Sequence, residues 1–268
     1  MRRDVTAILL FLVLALGFSA CYWGMILLWP ERSLPHVLEL FLWALFRGFG
    51  PAVAALIAAY YKEGRSGIRT IFASLIRWKV QPRWYVLGFL WPIAAVGAGI
   101  LAAHFFAHVS LKPAMNFAPR LILVFFAMAI VDGPLGEEIG WRGFLLPELL
   151  RKMNPIVAGM MVGVIWWMWH IPLYLADGKS IPWALYLLNT TALSLIFTWF
   201  FLRTKESTFF AIFLHNMSNY PIYLSHQIFP QVQDAAIGRI VFFAIVLSLA
   251  AAASISMAYA SKRRLPAP

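Results

Sequence analysis

The chain has a single cysteine, Cys21, among its 268 residues. A lone cysteine cannot form an intrachain disulfide, and it excludes a cysteine-rich metal site. Charged residues are scarce as well, at 12%, whereas 62% of the residues are hydrophobic. A soluble domain does not need so much apolar surface, but several segments of about 20 apolar residues each would produce this balance. The sequence therefore predicts an all-α, polytopic bundle of membrane-spanning helices.

Acidic residues are few, 11 against 22 lysines and arginines, and the formal net charge is +11. An excess of this size is found in nucleic-acid-binding proteins. Here, however, the basic residues cluster between the apolar runs and form no basic helix or stripe of the kind that binds nucleic acid. Clusters between apolar runs orient a protein in its membrane. We therefore expect contact with a lipid bilayer and none with nucleic acid.

Apolar runs and their breaks predict one integral-membrane domain, residues 1–268, with about eight spans. The predicted spans are Val5–Trp29, Val37–Tyr61, Trp84–Val109, Ala118–Leu150, Ile156–Ala176, Trp183–Leu202, Thr208–His226 and Ile237–Ala260. Basic residues fall in alternate connections, which places both termini in the cytoplasm. The first run resembles a lipoprotein signal up to Cys21 but continues far enough to span, so we expect it to be uncleaved. The fourth run is long enough to be tilted or broken at Asp132–Pro134, with the aspartate as helix cap.

A basic, amphipathic stretch follows the second span. Its apolar residues recur at helical spacing and are flanked by arginine and lysine: Ile68, Ile71, Phe72, Leu75 and Ile76, with Arg65, Arg69, Arg77 and Lys79. Such a stretch favours a helix that lies in the membrane interface. Orientation and anchoring are its expected roles.

The most unusual stretch is Gly136–Gly143, where two adjacent carboxylates and an arginine interrupt an apolar run. Charges at membrane depth are costly and persist mainly where they face a protein interior or a water-filled cavity. In a helix Glu138 and Arg142 are i and i+4, the spacing at which opposite charges meet. Glu137 is rotated from Glu138 by about 100°. We therefore expect Arg142 to hold Glu138 and leave Glu137 available for chemistry.

Three further polar residues, His170, His215 and Asn219, lie in apolar spans at a depth similar to that of Glu137, about 14–22 Å from the basic ends of their spans at 1.5 Å per residue. A glutamate and a histidine could deprotonate a water, and two donors one helical turn apart could stabilise an oxyanion. Alternatively Glu137, His170 and His215 could hold zinc with one open position. Both arrangements indicate hydrolysis. The structural alternative is that each residue only joins helices by a hydrogen bond, with Glu138–Arg142 as a structural ion pair.

These residues carry a resemblance to a known family. Glu137, Glu138 and Arg142 match the EExxxR motif of the CPBP family, the intramembrane endopeptidases related to type II CAAX prenyl proteases and to bacteriocin-processing and immunity proteins. His170 matches the histidine of its FxxxH motif, and His215 with Asn219 matches HxxxN/D. The sequence departs from the family at Trp166, where the family has phenylalanine. Residues 118–226 form the expected catalytic core.

The resemblance implies roles for the matching residues. Glu137 would act with His170 as general base on a water, Arg142 would hold Glu138, and His215 with Asn219 would bind the oxyanion. It also implies a peptide or membrane-protein substrate, a bacterial plasma membrane as location, and either no cofactor or zinc; we favour the metal-free mechanism.

Two other functions remain open from the sequence. One is a non-catalytic membrane protein that binds a partner such as a sensor kinase or a bacteriocin-related complex. The other is a transporter that uses Glu137 and His170 as a proton relay, although no repeat symmetry is evident.

Overall fold

A computed structural model of the chain describes residues 2–28, 35–114, 122–177 and 182–262. The described residues fold into helices and contain no β-strand. The α-helices are α1 Arg2–Leu28, α2 His36–Leu42, α3 Gly50–Glu63, α4 Arg65–Leu75, α5 Pro82–Ala107, α6 Ile122–Val131, α7 Pro134–Gly140, α8 Leu146–Leu150, α9 Pro155–Asp177, α10 Trp183–Arg203, α11 Thr208–Ile228 and α12 Ala236–Lys262. The described residues also contain two π-helical segments and one 3₁₀ turn: Trp43–Gly48, Trp141–Leu145 and Pro230–Val232. The all-α prediction is confirmed.

Five helices in the described ranges are long and apolar enough to cross a membrane: α1, α5, α9, α10 and α12. Their outward side chains are apolar and exposed, as lipid contact requires; Val13 on α1 and Phe106 on α5 are examples. The chain is an integral membrane protein. The second and fourth predicted spans are each divided into shorter helices by a π-helical segment, and the count of eight spans stays a prediction.

The fourth predicted span breaks where the sequence suggested, but the predicted cap is wrong. Gly133, not Asp132, is the N-cap of α7, and no side chain caps that helix. Gly133 has φ +152°, a conformation that side-chain-bearing residues rarely adopt. Pro134 then occupies the first turn, where its fixed φ suits a helix start. The backbone freedom of glycine, rather than the aspartate carboxylate, makes this turn.

Glycines let α7 lie close to the start of α3. A methyl group on Gly136 would come within 1.9 Å of the carbonyl oxygen of Gly48, and one on Gly140 within 2.5 Å of Pro51 Cβ. The two glycines are four residues apart and so share one helix face. The same device joins α9 to α10 through Gly159 and Gly163. Small residues at this spacing allow helix backbones to touch within a membrane.

A cluster of charges joins α1, α3 and α8 at the ends of these helices. Lys62 contacts Glu148 at 2.9 Å, Glu63 at 3.0 Å and Asp4 at 3.4 Å. Arg151 also contacts Glu148, at 2.6 Å. Burial lowers the pKa of Lys62, but the hydrogen bonds to Glu148 and Glu63 outweigh burial and raise that pKa above its ordinary value. The Lys62 ammonium is therefore a structural link between three helices.

The basic stretch predicted to be amphipathic forms α4. Gly67 and Ile71 are buried against the bundle, and Phe72 is exposed. Ser74 and Thr208 share a hydrogen bond of 2.8 Å, which ties α4 to the start of α11. This two-sided helix has the character of an interfacial element.

Candidate active site

The candidate site is built around α7 and the π-helical segment that follows it. This short helix packs against both α3 and α11, and its carboxylates point into the bundle. Glu137 is 6% exposed, and Glu138 is fully buried. Single π-helical turns within α-helices are frequent at functional sites, and here the turn carries Trp141 and Arg142.

Glu138 is the centre of a buried charge network. Its Oε1 accepts hydrogen bonds of 2.8 Å from both Arg142 Nη1 and His215 Nδ1. Because an ionised carboxylate only accepts, His215 Nδ1 carries the proton of this bond. Arg142 is fully buried, and it continues the network by donating from Nη2 to Ser194 Oγ at 3.4 Å. The i,i+4 spacing thus places an ion pair in the protein interior, with a histidine of α11 as third member.

Glu137 faces a different set of partners. Its Oε2 accepts hydrogen bonds from two indole groups, Trp166 Nε1 at 2.5 Å and Trp141 Nε1 at 3.4 Å. Its Oε1 lies on the side of Gly133, where a methyl group would approach it within 2.8 Å. One oxygen of Glu137 is therefore held by donors, and the other lies beside a glycine that leaves space around it.

His170 is held by its own helix. Its Nδ1 lies 2.9 Å from the carbonyl oxygen of Trp166, and because a carbonyl oxygen only accepts, Nδ1 carries a proton. In the neutral imidazole the lone pair is then on Nε2, the atom that a base would use. Glu137 interacts electrostatically with both His170 and His215. The structure thus brings both predicted histidines, from α9 and α11, close to the carboxylate of α7.

Asn219 is the predicted residue that lies outside this buried group. It is on α11 one turn beyond His215, about 6 Å along the axis, and its side chain is exposed. Within the described residues, we find no hydrogen bond from it to the other five. The structure therefore brings five of the six predicted residues together and places the sixth at their edge.

The three residues considered for zinc do not form a ligand cluster. In the part of the chain that the structure describes, no group of three histidine, cysteine, aspartate or glutamate side chains is close enough together to hold a metal ion. Nδ1 of each histidine donates to oxygen, as in histidines that bind zinc through Nε2, so these hydrogen bonds do not argue against zinc. The argument against a three-ligand zinc site is that, among the described residues, the three side chains do not form a group close enough to hold the ion.

Sequence reasoning gave no role to three residues of this site: Trp141, Ser194, and Trp166, which it named only as a departure from the family motif. A signal for two of them was present in the spacing. Trp141 is four residues after Glu137, and Trp166 is four residues before His170, so each shares a helix face with a predicted site residue. Ser194 gave no such signal, because its partner Arg142 lies on a distant helix and the rotation of α10 decides which residue meets it.

Comparison with known proteins bears on the same residues. Residues 118–221 match the family model described as type II CAAX prenyl endopeptidase Rce1-like, and all six predicted site residues lie within this range. A protein of Methanococcus maripaludis, named CAAX prenyl protease 2, is 28% identical over 131 residues, which cover 46% of this chain and 45% of that protein. The chain thus spans less than half the length of the curated relative that it matches. The family resemblance predicted from the motifs is confirmed over these residues.

Proposed function

We propose, on the premise that residues 118–221 match the type II CAAX prenyl endopeptidase family, that this chain is an intramembrane endopeptidase. The observation that carries the proposal is the different environment of two adjacent carboxylates. Glu138 is fully buried and its Oε1 is bound by the Arg142 guanidinium and by His215, whereas Glu137 is 6% exposed and its Oε2 is bound by neutral indole donors. A catalytic base needs an accessible oxygen, and a structural ion pair does not.

In the proposed reaction Glu137 and His170 bind a water and activate it. The water oxygen adds to the scissile carbonyl carbon while a proton of the water passes to Glu137. The carbonyl oxygen becomes an oxyanion. When the tetrahedral intermediate collapses, the carbon–nitrogen bond breaks and the departing amine takes up that proton. The products are a new carboxyl terminus and a new amino terminus.

His215 and Asn219 are the proposed donors to the oxyanion. Because Nδ1 of His215 donates to Glu138, its Nε2 can donate to the oxyanion only when both ring nitrogens carry protons. We therefore assign the oxyanion contact to an imidazolium paired with Glu138. The exposed amide of Asn219, one turn further along α11, would meet a substrate as it enters. A metal ion has no role in this mechanism.

The proposed substrate is a peptide bond presented at or within the bilayer. The matching relative is named for CAAX prenyl proteolysis, so a C-terminal, lipid-modified peptide is the first substrate class to test. Access from the cytoplasm, with both termini on that side, is part of the proposal and is supported by the distribution of basic residues between the apolar runs.

The test is cleavage of a pooled peptide library, with and without lipid modification, by the purified full chain in detergent. Replacing the general base should lower the cleavage rate by about 10²–10⁴-fold, so Glu137→Gln is expected to be inactive. Asp132→Asn is the matched control, because it neutralises an exposed carboxylate only five residues away. It should cleave at a rate close to that of the unmodified protein.

A strong zinc chelator separates the two chemistries. Cleavage that survives the chelator but is lost in Glu137→Gln supports the glutamate mechanism, and cleavage that the chelator abolishes would overturn it in favour of zinc. Equal activity of Glu137→Gln and the unmodified protein would refute the role of Glu137. A protein that cleaves no peptide but captures a membrane partner equally well with and without Glu137 would favour the binding function instead.

A further inference from the structure

We infer that Trp166 is a positioning residue that orients the Glu137 carboxylate through its indole N–H. The inference rests on the proposed function, because it assigns Trp166 a role toward the proposed general base. It concerns the position at which this chain departs from the family, where phenylalanine occupies the place of Trp166. A phenyl ring fills a similar space, but it has no donor.

Trp166 contacts four members of the candidate site: Glu137, His170, His215 and Arg142. Its Nε1 donates to Glu137, and its carbonyl oxygen accepts from His170. The ring lies 5.1 Å from the His215 ring between centroids, and the Arg142 guanidinium lies 5.4 Å from its centre. With 4% exposure the ring is almost completely enclosed. A side chain held on all sides can impose one orientation on a neighbouring carboxylate.

The donor matters because Glu137 is buried. A carboxylate removed from water requires hydrogen bonds to compensate for its lost hydration. Both indole donors reach the same oxygen, Oε2, while Oε1 lies on the side of Gly133. The arrangement stabilises the anion and still leaves one oxygen for water. Of the two donors Trp166 is the nearer, at 2.5 Å against 3.4 Å for Trp141.

The first experiment measures cleavage by Trp166→Phe over a range of pH. Loss of a hydrogen bond to a charged group corresponds to a fall in kcat of roughly 10- to 100-fold. We expect little change in KM, because the indole contacts the base rather than the substrate. We also expect the acidic limb of the plot of kcat against pH to move to higher pH, because the charged form of Glu137 loses a hydrogen-bond donor. Trp167→Phe is the matched control: it removes an indole N–H from the neighbouring position, where the ring packs on Trp183.

The groups that face Glu137 from the surrounding elements are His170 on α9, Tyr186 on α10, His215 on α11 and Arg142 on its own turn. The substitution replaces none of these groups, and the benzothienylalanine variant described below also keeps the ring contacts that Trp166 makes with His215 and Arg142. A shift of the acidic limb in Trp166→Phe that is absent in Trp167→Phe therefore reports the indole donor.

A second variant separates hydrogen bonding from packing. Replacing Trp166 with benzothienylalanine keeps the bicyclic shape and exchanges the N–H for sulfur. If it reproduces the lower kcat and the shifted limb of Trp166→Phe, the donor is responsible and the inference stands. If it behaves like the unmodified protein while Trp166→Phe is impaired, the side chain acts by packing and the inference is wrong. Unchanged kinetics in both variants also refutes it.

A spectroscopic readout does not depend on cleavage. The indole N–H band in ultraviolet resonance Raman spectra reports hydrogen bonding at Nε1. Glu137→Ala should shift the bands of two tryptophans, with the larger shift from Trp166, whose hydrogen bond is the shorter. In Trp166→Phe the larger shift should be absent and only the smaller one, from Trp141, should remain. A shift of undiminished size in that background would place the principal donor elsewhere and overturn the inference. A failure of the proposed protease activity would leave this result intact, so the two hypotheses are tested separately.

Discussion

The buried ion pair of Glu138 and Arg142 gives a quantitative prediction about stability. Both side chains are fully buried, and Arg142 supplies one of the two hydrogen bonds that Glu138 Oε1 accepts. Removing one member of such a pair leaves an uncompensated charge in the interior, at a cost of about 3–5 kcal/mol. We therefore expect Arg142→Met to lower the free energy of unfolding by this amount.

The double variant should be less damaging than the sum of its parts. Glu138→Gln alone leaves the guanidinium without its counter-charge, but in Glu138→Gln/Arg142→Met neither charge remains, and the glutamine oxygen can still accept from His215. Residues in one network show interaction energies of about 0.5–3 kcal/mol, and a pair with no exposure should fall in the upper half of that range. We expect the double variant to recover about 2–3 kcal/mol relative to additivity.

The four proteins compared are the unmodified protein, Arg142→Met, Glu138→Gln and the double variant, which form a double-mutant cycle. Their free energies of unfolding are measured in bicelles by steric trapping. Arg69→Met is the control, because Arg69 lies on the exposed face of α4 and its loss should leave the unfolding free energy almost unchanged. Additive effects in the cycle would refute the argument, since they would mean that the two charges do not compensate one another. Equal losses in Arg142→Met and Arg69→Met would refute it as well.

Two further predictions concern the helices that carry the site. Gly136→Ala should destabilise the protein by about 3 kcal/mol or more, because its methyl group would come within 1.9 Å of the Gly48 carbonyl oxygen. Gly97→Ala is the control and should be tolerated, because nothing lies within 4 Å of the added methyl group. Thermal unfolding compares the two variants. The raised pKa of Lys62 predicts a stabilisation that is complete below its ordinary value of 10.5 and is lost as the pH rises through the higher folded value. Lys62→Met should lack this alkaline loss when unfolding is followed between about pH 8 and 12, and an unchanged pH dependence would contradict the link to Glu148.

Spacing along a helix allowed the sequence to predict part of the site. Glu138 and Arg142 had to lie on one face of any helix that contained both, and the structure gives them a contact of 2.8 Å. The break before Pro134 was predictable for a similar local reason, because glycine allows backbone dihedrals that other residues avoid and proline fixes its own φ. The identity of the cap was not predictable, because it depended on whether the Asp132 side chain turned back toward the helix.

The indole donors show where the sequence is insufficient. An apolar run that contains Trp166, Trp167 and Trp169 offers several indole groups, and depth in the membrane does not distinguish them. Which ring meets Glu137 depends on the rotation of α9 about its axis, and that rotation is set by contacts with α10 through Gly159 and Gly163. Those contacts join residues distant in sequence, so a single chain read locally does not reveal them.

The roles of the two carboxylates follow from the rotation of α7. Successive residues of a helix differ by about 100°, so Gly136, Glu137 and Glu138 face three different neighbours. Gly136 meets the backbone at Gly48, Glu137 meets the indole of α9, and Glu138 meets the histidine of α11. The contact of Gly136 allows no side chain, and it therefore fixes which way the helix is turned. A residue as inert as Gly136 thereby determines which glutamate faces the histidine of α11 and which faces the indole of α9. Gly136→Ala accordingly tests more than packing: a variant that folds with a rotated α7 should lose peptide cleavage even though every charged group of the site is still present.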